Sequence, residues 1–144
     1  MHELPIRQLR AECRPILNKF YRELRSHMRA PPGANYWVAG DTPTIGGLCL
    51  TKVADGQWLT GLLVAPAYRN RGLATRLVVK AVSTCRCPVW LFCEQDLVPF
   101  YERLGFNLSL QLPEPLDSKL ERYNRHKVLR AMHYLRDDRC LTGF

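Results

Sequence analysis

The chain of 144 residues contains no apolar run near the ~18 residues that a membrane-spanning helix requires. Its apolar runs are short, such as Leu62-Leu63-Val64-Ala65 and Leu77-Val78-Val79. The segment from Met1 to Arg7 lacks the basic start and apolar centre of a signal peptide, so the expected compartment is the cytoplasm. Repeats, linkers and low-complexity stretches are missing as well. With 47% hydrophobic and 24% charged residues, a disordered or fibrous chain is excluded. The length is too small for two independent cores, and residues 1–144 are expected to form a single domain. Zinc-type spacing is lacking too. Of the six cysteines, Cys85-Arg86-Cys87 is too tight a pair for zinc, and no second pair follows. No metal is expected, and the thiols are expected to be reduced and mostly buried. The four histidines fall in segments read as terminal helices, which disfavours a Cys–His nucleophile.

Lysine is scarce. Against 13 Asp and Glu there are 21 Lys and Arg, a net charge of +8, but only Lys19, Lys52, Lys80, Lys119 and Lys127 are lysines. Arginine suits two-pronged contacts to phosphate and carboxylate. The excess concentrates in residues 1–30, with seven basic and three acidic groups, and in residues 117–139, with seven against four. An anionic partner such as a nucleotide cofactor, an acidic substrate or nucleic acid would match this balance, as would a solvated surface.

Leu4 to Leu9 alternates like a short strand. Cys13, Ile16, Leu17, Phe20, Tyr21, Leu24 and Met28 keep a helical period, with Pro15 in the first turn and Pro31-Pro32-Gly33 as the stop. Strands are expected at Tyr36–Ala39 and Ile45–Val53. A hairpin turn at Ala54–Gln57 then leads to a buried strand at Trp58–Val64. A helix follows Ala74, with Leu77, Val78, Ala81 and Val82 on one side. Val89–Cys93 reads as a buried strand. Leu97–Leu104 reads as a helix capped by Gly105, and Phe106–Leu112 as a strand. Asp117 is placed as the N-cap of a last helix, residues 117–136, packed on the domain. Strands alternating with helices make this an α/β fold.

Chemistry concentrates where the strand ending in Val64 passes through Pro66 into Arg69-Asn70-Arg71-Gly72-Leu73-Ala74-Thr75 and a helix. A helix start offers unpaired N–H groups and the positive end of a dipole. Gly72 lets the backbone approach a ligand, Ala74 keeps the first turn clear, and Arg69 and Arg71 add two cations. Together these make an anion site suited to pyrophosphate.

Arg69-x-x-Gly72-x-Ala74 after a strand, followed by Phe100-Tyr101-Glu102-Arg103-Leu104-Gly105-Phe106, resembles the GCN5-related N-acetyltransferases (GNAT). The interval between the motifs, one helix and one strand, is that family's as well. The resemblance runs from about Ile6 to Leu112 and leaves the last segment outside. It implies a mixed central sheet with helices on both faces and a V-shaped splay between two central parallel strands, here Leu59–Val64 and Val89–Cys93. It implies that acetyl-CoA binds there. The backbone of Leu62, Leu63 and Val64 would pair with pantetheine like an added strand, and the N–H groups of Asn70 to Thr75 would hold the pyrophosphate. The N–H of Leu63 or Val64 would face the acetyl carbonyl.

Direct attack by an amine also needs a proton for the leaving thiolate. Tyr101 is the candidate acid, and the competing reading is core packing beside Phe100. Glu94 ends its strand where the family usually carries Asn. Its carboxylate is read three ways: as base for the substrate ammonium, as a holder of a cationic substrate, or as a helix cap with Asp96. Tyr36, Trp37, Trp58 and Trp90 are expected in the core. Arg22, Arg25 and Arg29 would suit an acidic acceptor. Glu114, Asp117 and Glu121 would suit a cationic one. The reading is therefore an acetyl-CoA-dependent N-acetyltransferase acting on a small-molecule or peptide amine. The alternatives are an aminoacyl-tRNA acetyltransferase, drawn from the basic charge alone, and an acyl-CoA-binding module without turnover. Nucleic acid is disfavoured because no RNA-binding signature accompanies the charge. The last helix is assigned to closing the acceptor site or to a homodimer contact.

Overall fold

In the computed structural model, which describes residues 4–135, the elements are β1 (Ile6–Leu9), α1 (Arg14–Glu23), β2 (Asn35–Ala39), β3 (Gly46–Val53), β4 (Gly56–Val64), α2 (Leu73–Ser83), β5 (Val89–Glu94), α3 (Val98–Arg103), β6 (Asn107–Leu108), α4 (Glu114–Tyr123) and β7 (Leu129–Tyr134). The strands form a mixed seven-stranded sheet in the order β1-β2-β3-β4-β5-β7-β6. The pairing of β4 with β5 is parallel and joins Gln57 to Val89 and Trp58 to Trp90. The chain divides into two compact units. One holds the residues up to Thr51 with Leu59–Thr84, and the other holds Lys52–Trp58 with the residues from Cys85 on.

In the first unit, β1, β2 and β3 pair antiparallel. Two adjacent glycines of β3 let helices approach closely. A Cβ on Gly47 would lie 2.6 Å from a Leu17 methyl, and one on Gly46 would lie 3.1 Å from a Leu77 methyl. Neighbouring strand residues face opposite ways, so α1 and α2 cover opposite faces of this sheet. Leu17, Phe20 and Tyr21 of α1 pack with Leu9, Tyr36, Val38 and Cys49. Each such buried side chain contributes about 2 kcal/mol.

The helical period to Met28 overstated α1, which stops at Glu23. Ser26 N–H bonds to Tyr21 O at 3.0 Å and Arg25 N–H to Arg22 O at 2.9 Å, with Arg25 left-handed at φ +56°. This paired closure satisfies the last carbonyls and turns the chain well before Pro31.

In the second unit, β5 is bonded antiparallel to β7 along all six residues, Val89↔Tyr134 through Glu94↔Leu129. Helix α3 ends as expected at Gly105 (φ +99°), with Phe106 N–H on Tyr101 O and Gly105 N–H on Glu102 O. Two expectations fail here. The strand at Phe106–Leu112 shrinks to Asn107–Leu108, after which Leu110 stands almost fully exposed. The helix expected over 117–136 is in fact α4, which starts at Glu114 with Pro113 as its N-cap, followed by strand β7; Arg136 lies outside the described residues. Val128, Ala131, Met132 and Leu135 fit a helical period, but Ala131 and Met132 fit a two-sided buried strand equally well. The ladder to β5 decides between them. Asn124 assists by accepting Leu129 N–H on its side-chain oxygen at 2.8 Å, closing the turn into β7.

A chain cut after Pro115 loses the fully buried Leu116 and the whole β7 ladder. It should be insoluble or show no cooperative melting transition. A truncated protein melting at the full-length temperature would show that β7 is dispensable to the sheet.

Candidate active site

The pyrophosphate-type turn lies wholly in the first unit. Strand β4 ends at the buried Val64, and Ala65 N–H bonds to Ile45 O at 2.8 Å. A single 3-10 turn, Pro66–Tyr68, follows. The Arg69 guanidinium does not reach outward as expected. Its Nε donates to Val64 O at 2.9 Å, which staples the turn to the strand end. The Arg71 guanidinium lies 5.7 Å from the centre of the Tyr68 ring, a cation–π contact. Asn70 and Gly72 both adopt left-handed φ, +63° and +77°.

Gly72 is the N-cap of α2 and supplies no side-chain oxygen, so the first-turn N–H groups of Leu73, Ala74 and Thr75 have no side-chain cap. A Cβ built on Gly72 meets nothing within 4 Å. The space over this backbone is open, and the donors around it suit a di-anionic phosphate group. Leu62 and Leu63 are half-buried, less than the two-sided burial expected of β4.

Glu94 and Tyr101 lie in the second unit. Glu94 closes β5 opposite Leu129 and is exposed. It is the N-cap of the 3-10 turn Gln95–Leu97 but forms no side-chain cap bond, so capping is not its role. Tyr101, on α3, is buried at 6% exposure, deeper than its polar tip suggested. Its ring meets Phe100 edge-on at 4.9 Å and Phe106 at 5.7 Å. No hydrogen bond from its hydroxyl to another described residue is present. Burial first, and the neighbouring Cys93 second, push the phenol well above its ordinary range, so it stays protonated. Burial likewise lifts the Cys93 and Cys49 thiols to about 11 each. Such thiols are poor nucleophiles. Among the described residues no His/Cys/Asp/Glu group could hold a metal ion, and no helix is long and apolar enough to cross a membrane.

A model of the acetyltransferase (GNAT) family matches residues 3–106. The chain belongs to this family. Solved structures agree on the fold. An acetyltransferase of the GNAT family from Staphylococcus aureus is 16% identical, with a TM-score of 0.61 over 91% of this chain and 98% of that one. N-acetylglutamate synthase from Neisseria gonorrhoeae, complexed with coenzyme A and N-acetyl-glutamate, is 18% identical, with a TM-score of 0.70 over 93% of this chain but 35% of that one. Tetrahymena GCN5 is 15% identical, with a TM-score of 0.64 over 91% and 95%. At these identities the likeness is one of fold. Residues 107 onward, including α4 and β7, lie beyond the family match.

Two arrangements in this member of the family were not read from its sequence. In the second unit, Trp58 stacks at a tilt on Phe92 at 5.6 Å, and Lys119 Nζ sits 5.1 Å from the Trp58 ring and 5.9 Å from Tyr123. Nothing local signals that cluster. In the first unit, Tyr21 Oη donates to Gly61 O at 2.6 Å. Here a signal existed, because an isolated glycine inside a strand pattern marks a bulge or a close approach. The histidines were misplaced as well: His27 follows α1, His126 precedes β7 and His133 lies within it, while His2 is outside the described residues.

Proposed function

We propose that this protein is an acetyl-CoA-dependent N-acetyltransferase whose two units act as one domain, acetylating a primary amine on a small molecule or peptide. The observation that carries the reading is the turn from β4 into α2, with Gly72 left-handed and open above, the first turn of α2 uncapped, and Arg69 spent on holding the turn in shape. The N–H groups from Asn70 to Thr75 hold the pyrophosphate, with Arg71 beside them. The backbone of Leu62, Leu63 and Val64 pairs with the pantetheine. Acetyl-CoA supplies an activated thioester when bound. The N–H of Leu63 or Val64 donates to the acetyl oxygen as charge develops there. Tyr101 Oη gives its proton to the departing sulfur; burial keeps the phenol protonated at physiological pH, and also makes it a weaker acid than an exposed tyrosine. Glu94, exposed and free of a capping duty, takes the proton from the amine or holds the amine's charge.

No metal is assigned to these steps. The cytoplasm is the compartment proposed for this protein. The burial of Tyr101 supports a second reading, an acyl-CoA-binding module without turnover. Acetyl-CoA titrated by calorimetry, followed by a CoA-release assay over amines, polyamines, amino acids and peptides, separates the two. Binding with release identifies the enzyme, and binding with no release over the panel leaves the module. An absence of binding defeats both.

A further inference from the structure

Gly61, in the middle of β4, has φ +69°, a left-handed value inside a strand. A Cβ there would lie 2.5 Å from Tyr21 Oη and 3.2 Å from Tyr21 Cζ. Glycine is thus required twice, for the backbone angle and for the approach of the phenol. A left-handed residue interrupts the pleat and turns its peptide out of the regular ladder. The carbonyl so displaced still needs a donor. Tyr21 provides it at 2.6 Å from the last turn of α1, where the ring is fully buried and Cys49 Sγ stands 3.8 Å from the same hydroxyl. Burial, with Cys49 adding, pushes this phenol far above its ordinary range, so it remains a donor at all working pH values.

The Gly61 carbonyl and the Leu62 N–H belong to one planar peptide. A bond that sets the direction of the first sets that of the second. Leu62, Leu63 and Val64 follow directly. Their far end is held by Ala65 N–H on Ile45 O and by Arg69 Nε on Val64 O. The three-residue strip is therefore tied at both ends, and Tyr21 ties the end nearest the bulge.

We propose that Tyr21 is a positioning residue for acyl-CoA, fixing the Gly61–Leu62 peptide so that the backbone of Leu62 and Leu63 is presented in the orientation that pairs with the pantetheine. The proposal rests on the acetyl-CoA reading above. Tyr21 touches no substrate and acts through Gly61.

The test is Tyr21→Phe, which keeps the buried ring and removes the donor, beside Leu17→Val, a control that loosens the same core without touching the bulge. Calorimetry on the folded proteins should show acetyl-CoA binding weakened by about fivefold or more in Tyr21→Phe and unchanged in the control. The KM for acetyl-CoA should rise with it while the KM for the amine stays put, a split that general loosening would not produce. Gly61→Ala, which drives a methyl onto the phenol oxygen, should weaken binding in the wild-type background. It should weaken it less in the Tyr21→Phe background, where that oxygen is gone. Wild-type affinity in Tyr21→Phe, or an equal loss in Leu17→Val, overturns the positioning role. A wild-type protein that binds no acetyl-CoA instead removes the functional reading beneath it.

Discussion

Tyr101→Phe is expected to lower kcat by at least about tenfold and to move the acetyl-CoA KM by less than about twofold. General acid catalysis typically supplies about 10²–10⁴-fold, and only the proton is removed. The ring contacts to Phe100 and Phe106 persist, and no hydrogen bond from the hydroxyl to a described residue is lost, so the fold should be undisturbed. The pH profile carries a second expectation. An exposed phenol ionises near pH 10, roughly its reference value. Burial and Cys93 raise Tyr101 above that range. The acid form therefore persists as pH rises, and the wild-type rate should show no alkaline loss from this group up to pH 10. Full kcat in Tyr101→Phe would mean that the thiolate leaves unassisted or that another acid serves. Glu94→Gln run in parallel tests the amine side: a loss there alone makes Glu94 essential, as base or as holder of the amine's charge.

Gly72→Val should weaken acetyl-CoA binding by at least about tenfold, about 1.4 kcal/mol. Two causes act together. A left-handed φ of +77° strains any branched residue by about 1–2 kcal/mol, and the turn shifts to relieve it. The new side chain also fills space that is open over the helix start. Because nothing of the protein lies within 4 Å of that Cβ, the intrusion falls on whatever occupies the open side. Gly72→Ala separates the causes, since it keeps most of the backbone strain while adding one methyl. Calorimetry is read beside the melting temperature of each variant. Unchanged affinity in a folded Gly72→Val would remove the turn from the binding site.

The legible parts of this protein are those that depend on local chemistry. The left-handed Gly72, the uncapped start of α2 and the closure at Gly105 each follow from residue types within one turn of the chain. The family match over residues 3–106 covers the stretch where these local signals cluster. The alternation of strands and helices was readable from the sequence as far as α3 and its closure at Gly105.

Tertiary structure decided the rest, and each case has a physical cause. Ala131 and Met132 satisfy a helix and a buried strand alike. Their strand form was settled by the ladder to β5, about forty residues earlier in the chain. The Met28 end of the first helical pattern lost to two backbone bonds that closed the helix around Arg25. The guanidinium of Arg69 turned inward because the Val64 carbonyl at the strand end lay within its reach. The depth of Tyr101 depends on aromatic neighbours brought from both sides of Gly105, and the burial they create raises its pKa. The bond from Tyr21 to Gly61 joins residues forty positions apart. Sequence by itself marked glycines such as Gly72 and Gly105 as free to turn left-handed, but not Arg25. Only packing determined which side chain would stand against that backbone, because a phenol finds an orphaned carbonyl through the fold and not through its neighbours in the chain.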